Sequence, residues 1–306
     1  AGVGDLTTGD PVPVDGEVRV GSNTKTYTAV VVLQLVEEGL VALDEPIETY
    51  LPGLVRGEGI DGAAVTVRQL LQHTSGLPEY TTDRALEIER LQHSYAPPRD
   101  LLDRAFTHPA VFAPGERWSY SNTNYLLLGM LVERLVERPL FEVVTDRIIE
   151  PLGLEHTYFP TVGEQELRGE HPHAYHVDAA GDPLDVTVLD PSFGWAAGAV
   201  VATPSDLNEF FRAIFDGRLL GDEMLAEMTT TVPSEDPLWT DAQYGLGIQS
   251  YRLSDGTTVW GHGGDIHGFQ TRNAVTEEGV AFTVAVTSLP WAFIDPADEE
   301  PLLAAY

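Results

Sequence analysis

Between about Trp195 and Ser288 the chain falls into short runs, Gly245 to Leu253, Thr257 to Trp260, Phe269 to Val275 and Val280 to Ser288, punctuated by Asp255-Gly256 and Glu278-Gly279. Runs of this length, reversed at glycine pairs, read as antiparallel hairpins. An antiparallel sheet has to bury one face, so helices must lie on it. The same region supplies two, Ser205 to Phe215 with Ser205 as its N-cap, and a second near Met224.

The first half of the chain has a different texture. Residues 1 to 20 read as the end of one strand, a turn at Gly9-Asp10-Pro11, and a second strand, Glu17 to Val20. One hairpin cannot stand alone, so its partners must come from elsewhere. The apolar run Tyr27, Val30, Val31, Leu33, Leu35, Val36 has the length of a buried helix that stops at Gly39. Asp44 to Leu54 reads as loop. Further helices are expected over Thr66 to Gln72, Arg99 to Phe106, Tyr125 to Leu135 capped by Ser121-Asn122-Thr123-Asn124, and Phe141 to Ile149. Residues 161 to 185, rich in Gly, Pro and His, read as a surface excursion. The expected class is α+β. An antiparallel sheet with flanking helices is built from both chain ends, residues 1–25 and 187–306. A mostly helical lobe, residues 26–186, is inserted into it, and a site is expected in the cleft between them.

Composition removes several functions. A formal charge of −31 argues against phosphate-backbone partners, so no nucleic acid is expected. With no cysteine there is no disulfide framework, thiolate nucleophile or thiolate metal site. No apolar run is long enough for a transmembrane segment, and no signal peptide is visible.

Chemistry enters with Lys25, the only lysine among 306 residues. Arginine stays protonated in proteins, whereas lysine gives up its proton when buried or crowded. Ser22 precedes it by three residues. If Ser22 sits on the first helical turn, the hydroxyl and amine share a face, one way of activating serine for acyl transfer. Tyr120-Ser121-Asn122 precedes the second apolar helix and reads either as a capping turn with a packed tyrosine, or as a phenol and an amide facing a cleft. His262-Gly263-Gly264 follows a predicted strand and reads either as a plain turn or as a strip where a substrate backbone approaches the sheet edge.

Taken together and in this order, Ser22-x-x-Lys25, Tyr120-x-Asn122 and His262-x-Gly264 resemble the penicillin-recognising serine enzymes. The likeness is greatest to D-alanyl-D-alanine carboxypeptidases of the Streptomyces type and to class C β-lactamases with their esterase relatives. Val20-Gly21-Ser22, Thr49-Tyr50-Leu51-Pro52-Gly53, the His73 to Leu77 loop, Pro114-Gly115 and Tyr244-Gly245-Leu246-Gly247 extend it over nearly the whole chain. The resemblance implies Ser22 as nucleophile and Lys25 as its proton-handling neighbour. It implies Tyr120 as base and then acid, with a lysine ammonium favouring the phenolate; whether Lys25 or Tyr120 takes the proton stays open. Asn122 would hold the substrate amide, and the backbone N–H groups of Ser22 and Asp265 would form an oxyanion hole. No cofactor is implied. The partner implied is a small molecule or peptide with an amide or ester bond, and the compartment is secreted or cell-envelope.

Three departures qualify this. Gly263 replaces the usual Thr or Ser, removing a hydroxyl that would grip a substrate carboxylate, unless Arg272 or Arg252 supplies the charge. Family members also have an N-terminal helix and a further strand, whereas this chain begins mid-hairpin. Their closing helix is longer than Asp298 to Tyr306 allows. The sheet is therefore expected to expose an edge and an uncovered face. The leading expectation is a serine acyl-transfer enzyme, with D-alanyl-D-alanine carboxypeptidase the nearest activity. Alternatives of the same fold are a class C-like β-lactamase, a carboxylesterase, a D-aminopeptidase and a peptide-cyclising thioesterase; a catalytically silent penicillin-binding or sensor module is the alternative from another class. Glu170, His171, His173 and His176 match no metal spacing and read as a solvated loop, so no metal is expected. Phe193 and Trp195 are candidates for an acyl pocket.

Overall fold

The computed structural model describes residues 2–81, 88–178, 181–235 and 241–289. Helix α1 (Thr24–Glu37) runs through the middle of the protein, with Tyr27, Val30, Val31, Leu33 and Leu35 fully buried. Its buried residues run round the whole circumference, as in a helix surrounded by other elements. Gly39, at φ 72°, ends it as expected. Helices α2 (Val67–Leu71), α3 (Pro98–Ala105), α4 (Asn122–Val136) and α5 (Leu140–Val144) follow. In α2 the Thr66 side chain and Gln69 form a reciprocal capping box. The short α6 (Trp195–Gly198), then α7 (Pro204–Phe215) and α8 (Asp222–Met228), complete the set used below. The N-cap of α7 is Thr203, whose side chain accepts from Asp206 N–H, with Pro204 in the first turn; Ser205 lies inside the helix.

The large sheet has seven antiparallel strands, all from residues 232 to 286. The N-terminal strand β1 (Val18–Arg19) instead pairs with β2 (Val201–Ala202) in a separate two-stranded sheet. The other N-terminal pairing is a bridge, Val3 to Pro11. The expectation that both chain ends build one sheet is therefore corrected among the described residues, within an α+β fold that is otherwise as expected. Residues 3 to 11 carry turn formers but no alternating apolar face, so nothing pulls them onto the sheet. Strands β3 (Val232–Pro233), β4 (Gln243–Tyr244), β5 (Gln249–Arg252), β6 (Thr258–Gly261), β7 (Gly264–Ile266), β8 (Phe269–Val275) and β9 (Ala281–Val286) lie in the order β7-β8-β6-β5-β4-β3, with β9 also on β8.

Strand β9 alternates cleanly. Ala281 and Ala285 pack on the core and Thr283 bonds Asn208 of α7 at 2.9 Å, while Phe282 and Val284 stand 52% and 57% exposed. Among the described residues one face of this strand is thus uncovered. Asp298 to Tyr306 lie outside them. No helix of the described residues is long and apolar enough to cross a membrane.

Candidate active site

Ser22 lies on a 3-10 turn, Gly21–Asn23, that leads straight into α1. Gly21 has φ 52° and its Cα lies against the backbone of Asp265, where a Cβ would stand 2.8 Å from the Asp265 nitrogen. Gly264 faces the Val20 carbonyl in the same way, leaving no room for a side chain. Two glycines therefore let the serine turn dock on β7. The dock is bolted by amides: Asn23 Nδ2 donates to the Val20 carbonyl at 2.9 Å and to Thr271 Oγ1 at 2.7 Å, and Asn273 donates to Asn23 Oδ1 and to the His262 carbonyl.

One turn into α1, Lys25 is fully buried. Its Nζ lies 2.9 Å from Ser22 Oγ, 2.7 Å from Asn122 Oδ1 and 2.8 Å from the Ala197 carbonyl of α6. Asn122 opens α4, three residues earlier than the sequence pattern suggested, and its backbone N–H and Nδ2 both donate to Glu79 Oε2, at 2.7 and 3.0 Å. That pairing fixes the amide so that its oxygen faces Lys25. Tyr120 is partly buried. Lys25 Nζ lies 4.8 Å from the centre of its ring. Burial pushes the Tyr120 phenol well above its ordinary range, the Ser22 side chain pulls it down, and Tyr125, Glu79 and Asp265 push it further up. The balance of these influences lies on the side of the protonated phenol.

His262 is buried between two partners, with Nδ1 2.6 Å from the Gly263 carbonyl and Nε2 2.9 Å from the Tyr244 hydroxyl. Burial, with Lys25 and then Arg272 nearby, lowers its pKa to about 3. His73, at φ 59°, accepts the Ser121 N–H on Nδ1 and sits among the rings of Tyr120, Tyr125 and Tyr244. Burial and Lys25 hold it well below its ordinary range.

Ser22, Lys25, Tyr120, Asn122, His262, Gly264 and the Asp265 backbone thus meet at one place. Arg272 lies over Gly263, where a Cβ would be 3.3 Å from its Nη1, but it is ion-paired with Asp265. Arg252 is exposed on β5. Phe193 and Trp195 pack on a small apolar cluster with Tyr80, Leu101 and Leu126. His171 bonds the Gly169 carbonyl, His173 bonds Asp185, and His176 meets His267 edge to face, so the histidine cluster is dispersed. Among the described residues no group of three or more His, Asp or Glu is placed to hold a metal. Three participants carried no sequence signal of their own: Glu79, the Ala197 carbonyl and the Asn23–Asn273 bolt. A lone Glu after a Pro is common in loops, and a carbonyl has no letter in the sequence.

The beta-lactamase family profile matches residues 1–306. The chain belongs to the beta-lactamase family. It is 39% identical to a D-stereospecific amidohydrolase from a Streptomyces species, at a TM-score of 0.87 over 97% of this chain and 89% of that one. Against the D-amino acid amidase of Ochrobactrum anthropi SV3 the figures are 30%, 0.82, 94% and 81%. Penicillin-binding protein 4 of Amycolatopsis lactamdurans is 29% identical over 275 residues, 87% of this chain and 70% of that protein. This beta-lactamase-family protein is a serine hydrolase.

Proposed function

We propose that this chain hydrolyses amide bonds beside D-configured amino acid residues, through a covalent acyl-enzyme on Ser22. The observation that carries the chemistry is the surroundings of Lys25. The Ala197 carbonyl and the oriented Asn122 oxygen can only accept, so each takes an N–H group of Lys25, and a third position on Nζ faces Ser22 Oγ at 2.9 Å. Filled by a lone pair, that position takes the serine proton as Oγ bonds the substrate carbonyl carbon. The Tyr120 phenol then gives its proton to the leaving nitrogen as the C–N bond breaks, and recovers one from the Lys25 ammonium formed in the first step. Water attacks the acyl-enzyme by the reverse proton path. The backbone N–H groups of Ser22 and Asp265 are assigned to the developing oxyanion, and Asn122 to the substrate amide.

The D-amide substrate is supported by similarity to the two amidases and by the absence of a hydroxyl at Gly263. A D-alanyl-D-alanine carboxypeptidase is the second reading, favoured by the likeness to penicillin-binding protein 4. The test is turnover of D- and L-phenylalanine amide, with intact-mass detection of an adduct on Ser22. The D-amide is expected to be preferred by about 100-fold or more. Ser22→Ala should abolish turnover, and Lys25→Arg should lower kcat about 10²–10⁴-fold because arginine cannot receive the proton. Equal use of both enantiomers, or turnover surviving Ser22→Ala, would overturn the reading.

A further inference from the structure

Among the described residues strand β7 pairs only with β8, and Asp265 is its one exposed residue, beside the turn that carries Ser22. Across the hairpin, the Arg272 guanidinium occupies the space over Gly263. Its Nη1 donates to Asp265 Oδ1 at 2.9 Å and to the Thr271 carbonyl at 2.8 Å, and its Nη2 donates to Asp265 Oδ2 at 3.3 Å. Both charges reach the site, since Asp265 acts on the Tyr120 hydroxyl and Arg272 on the His262 ring. Both side chains are about one third exposed, 37% for Arg272 and 34% for Asp265.

A guanidinium beside a glycine at the rim of a cleft would by itself be a receptor for carboxylate, which matches its planar fork. Here Asp265 already fills that fork from two sides. An arriving carboxylate meets attraction from Arg272 and repulsion from Asp265 at similar range, and the two largely cancel. An amide or ester carries no charge and loses nothing. As a support for the hairpin the pair is worth little, because partly exposed ion pairs contribute weakly to stability. Its effect on charge selection does not depend on that contribution.

We propose that the Asp265–Arg272 pair is a charge lock, which denies the cleft to ligands ending in a carboxylate and leaves it open to their uncharged amides. This rests on the amide-hydrolase reading and adds the residue that enforces it; discrimination comes from a repulsive group as much as from an attractive one.

The test uses hydrolysis of p-nitrophenyl acetate as reporter, with D-alanyl-D-alanine and D-alanyl-D-alaninamide as competing probes that differ only in the terminal charge. In the unaltered protein the amide is expected to inhibit more strongly than the acid. Asp265→Asn should tighten inhibition by the acid about tenfold, change the amide by less than about twofold, and lose the gain when Arg272→Ala is added. Inhibition by the acid that is unchanged in Asp265→Asn, or that tightens equally with the amide, overturns the lock. Asp265→Ser serves the same comparison if the asparagine variant lacks a cooperative unfolding transition. Because the reporter is an ester, failure of the unaltered protein to turn over D-amino acid amides would sink the substrate reading while leaving the two inhibition constants readable.

Discussion

His262 and His73 each reveal where their proton sits. The Gly263 carbonyl can only accept, so His262 carries its hydrogen on Nδ1 and receives the Tyr244 hydroxyl on Nε2; His73 accepts the Ser121 N–H on Nδ1. Both rings are neutral, and neither has room for a second proton without breaking a buried hydrogen bond. The consequence for stability follows from linkage. The native pKa of His262, about 3, lies below the ordinary value of 6.5. Above pH 6.5 neither the native nor the unfolded chain holds the extra proton, and the stability contribution is whole. As pH falls from 6.5 toward 3 only the unfolded chain takes up that proton, and each such histidine removes up to about 1.4 kcal/mol per pH unit. His73 is shifted the same way. Urea denaturation of His262→Gln should therefore show a shallower loss of stability than the unaltered protein between pH 6.5 and 5, by about 2 kcal/mol across the interval. Parallel curves would mean that His262 is not held neutral in the native state.

Helix α4 meets α6 at Gly129, where a Cβ would come within 2.6 Å of Ala196 Cβ and 2.8 Å of the Trp195 ring. Alanine is the better helix former by about 1 kcal/mol, but overpacking a core typically costs about 1–3 kcal/mol. The clash decides the sign, since Ala196 is fully buried and has nowhere to go. The next residue along α6 is Ala197, whose carbonyl holds Lys25. Gly129→Ala is thus expected to lower the unfolding free energy by about 1–2 kcal/mol and to reduce kcat more than it raises KM, as displacement of a positioning group would. A variant as stable and active as the unaltered protein would show that α6 gives way freely. This contact also marks the boundary of what the residue order discloses. Helix α1 was legible because an uninterrupted apolar run has few other destinations, and Ser22 and Lys25 because the chain holds one lysine. The late strands were legible from their glycine reversals. The pairing of β1 with β2 and the grip of Glu79 on Asn122 each depend on how distant segments register, 182 residues apart for Arg19 and Val201 counted along the chain. No local pattern encodes that register.

Over the whole molecule, 48 acidic residues face 17 basic ones. Many of the arginines are already taken: Arg56, Arg68, Arg138, Arg147, Arg168 and Arg218 sit against carboxylates. The excess carboxylates have no such partners to spare. A chain of this length has a radius of gyration of roughly 19 Å, smaller than the screening length of about 30 Å at 0.01 M salt and far larger than about 3 Å at 1 M. At low salt every excess charge repels every other across the fold; at high salt each acts only on its neighbours. Added salt also weakens the surface ion pairs, but these contribute only about 0.2–1 kcal/mol apiece. The repulsion runs over all pairs of excess charge and so outweighs them, and unfolding relieves it by spreading the chain. The thermal midpoint is therefore expected to rise by about 5 °C between 0.01 M and 1 M NaCl, with most of the rise complete by the salt concentration at which the screening length drops below the spacing of surface charges. Scanning calorimetry across that range decides it. A midpoint that stays level or falls would mean that the ion pairs, and not the unpaired carboxylates, set the electrostatic balance; a rise that continues linearly beyond that point would trace instead to exclusion of salt from the protein surface.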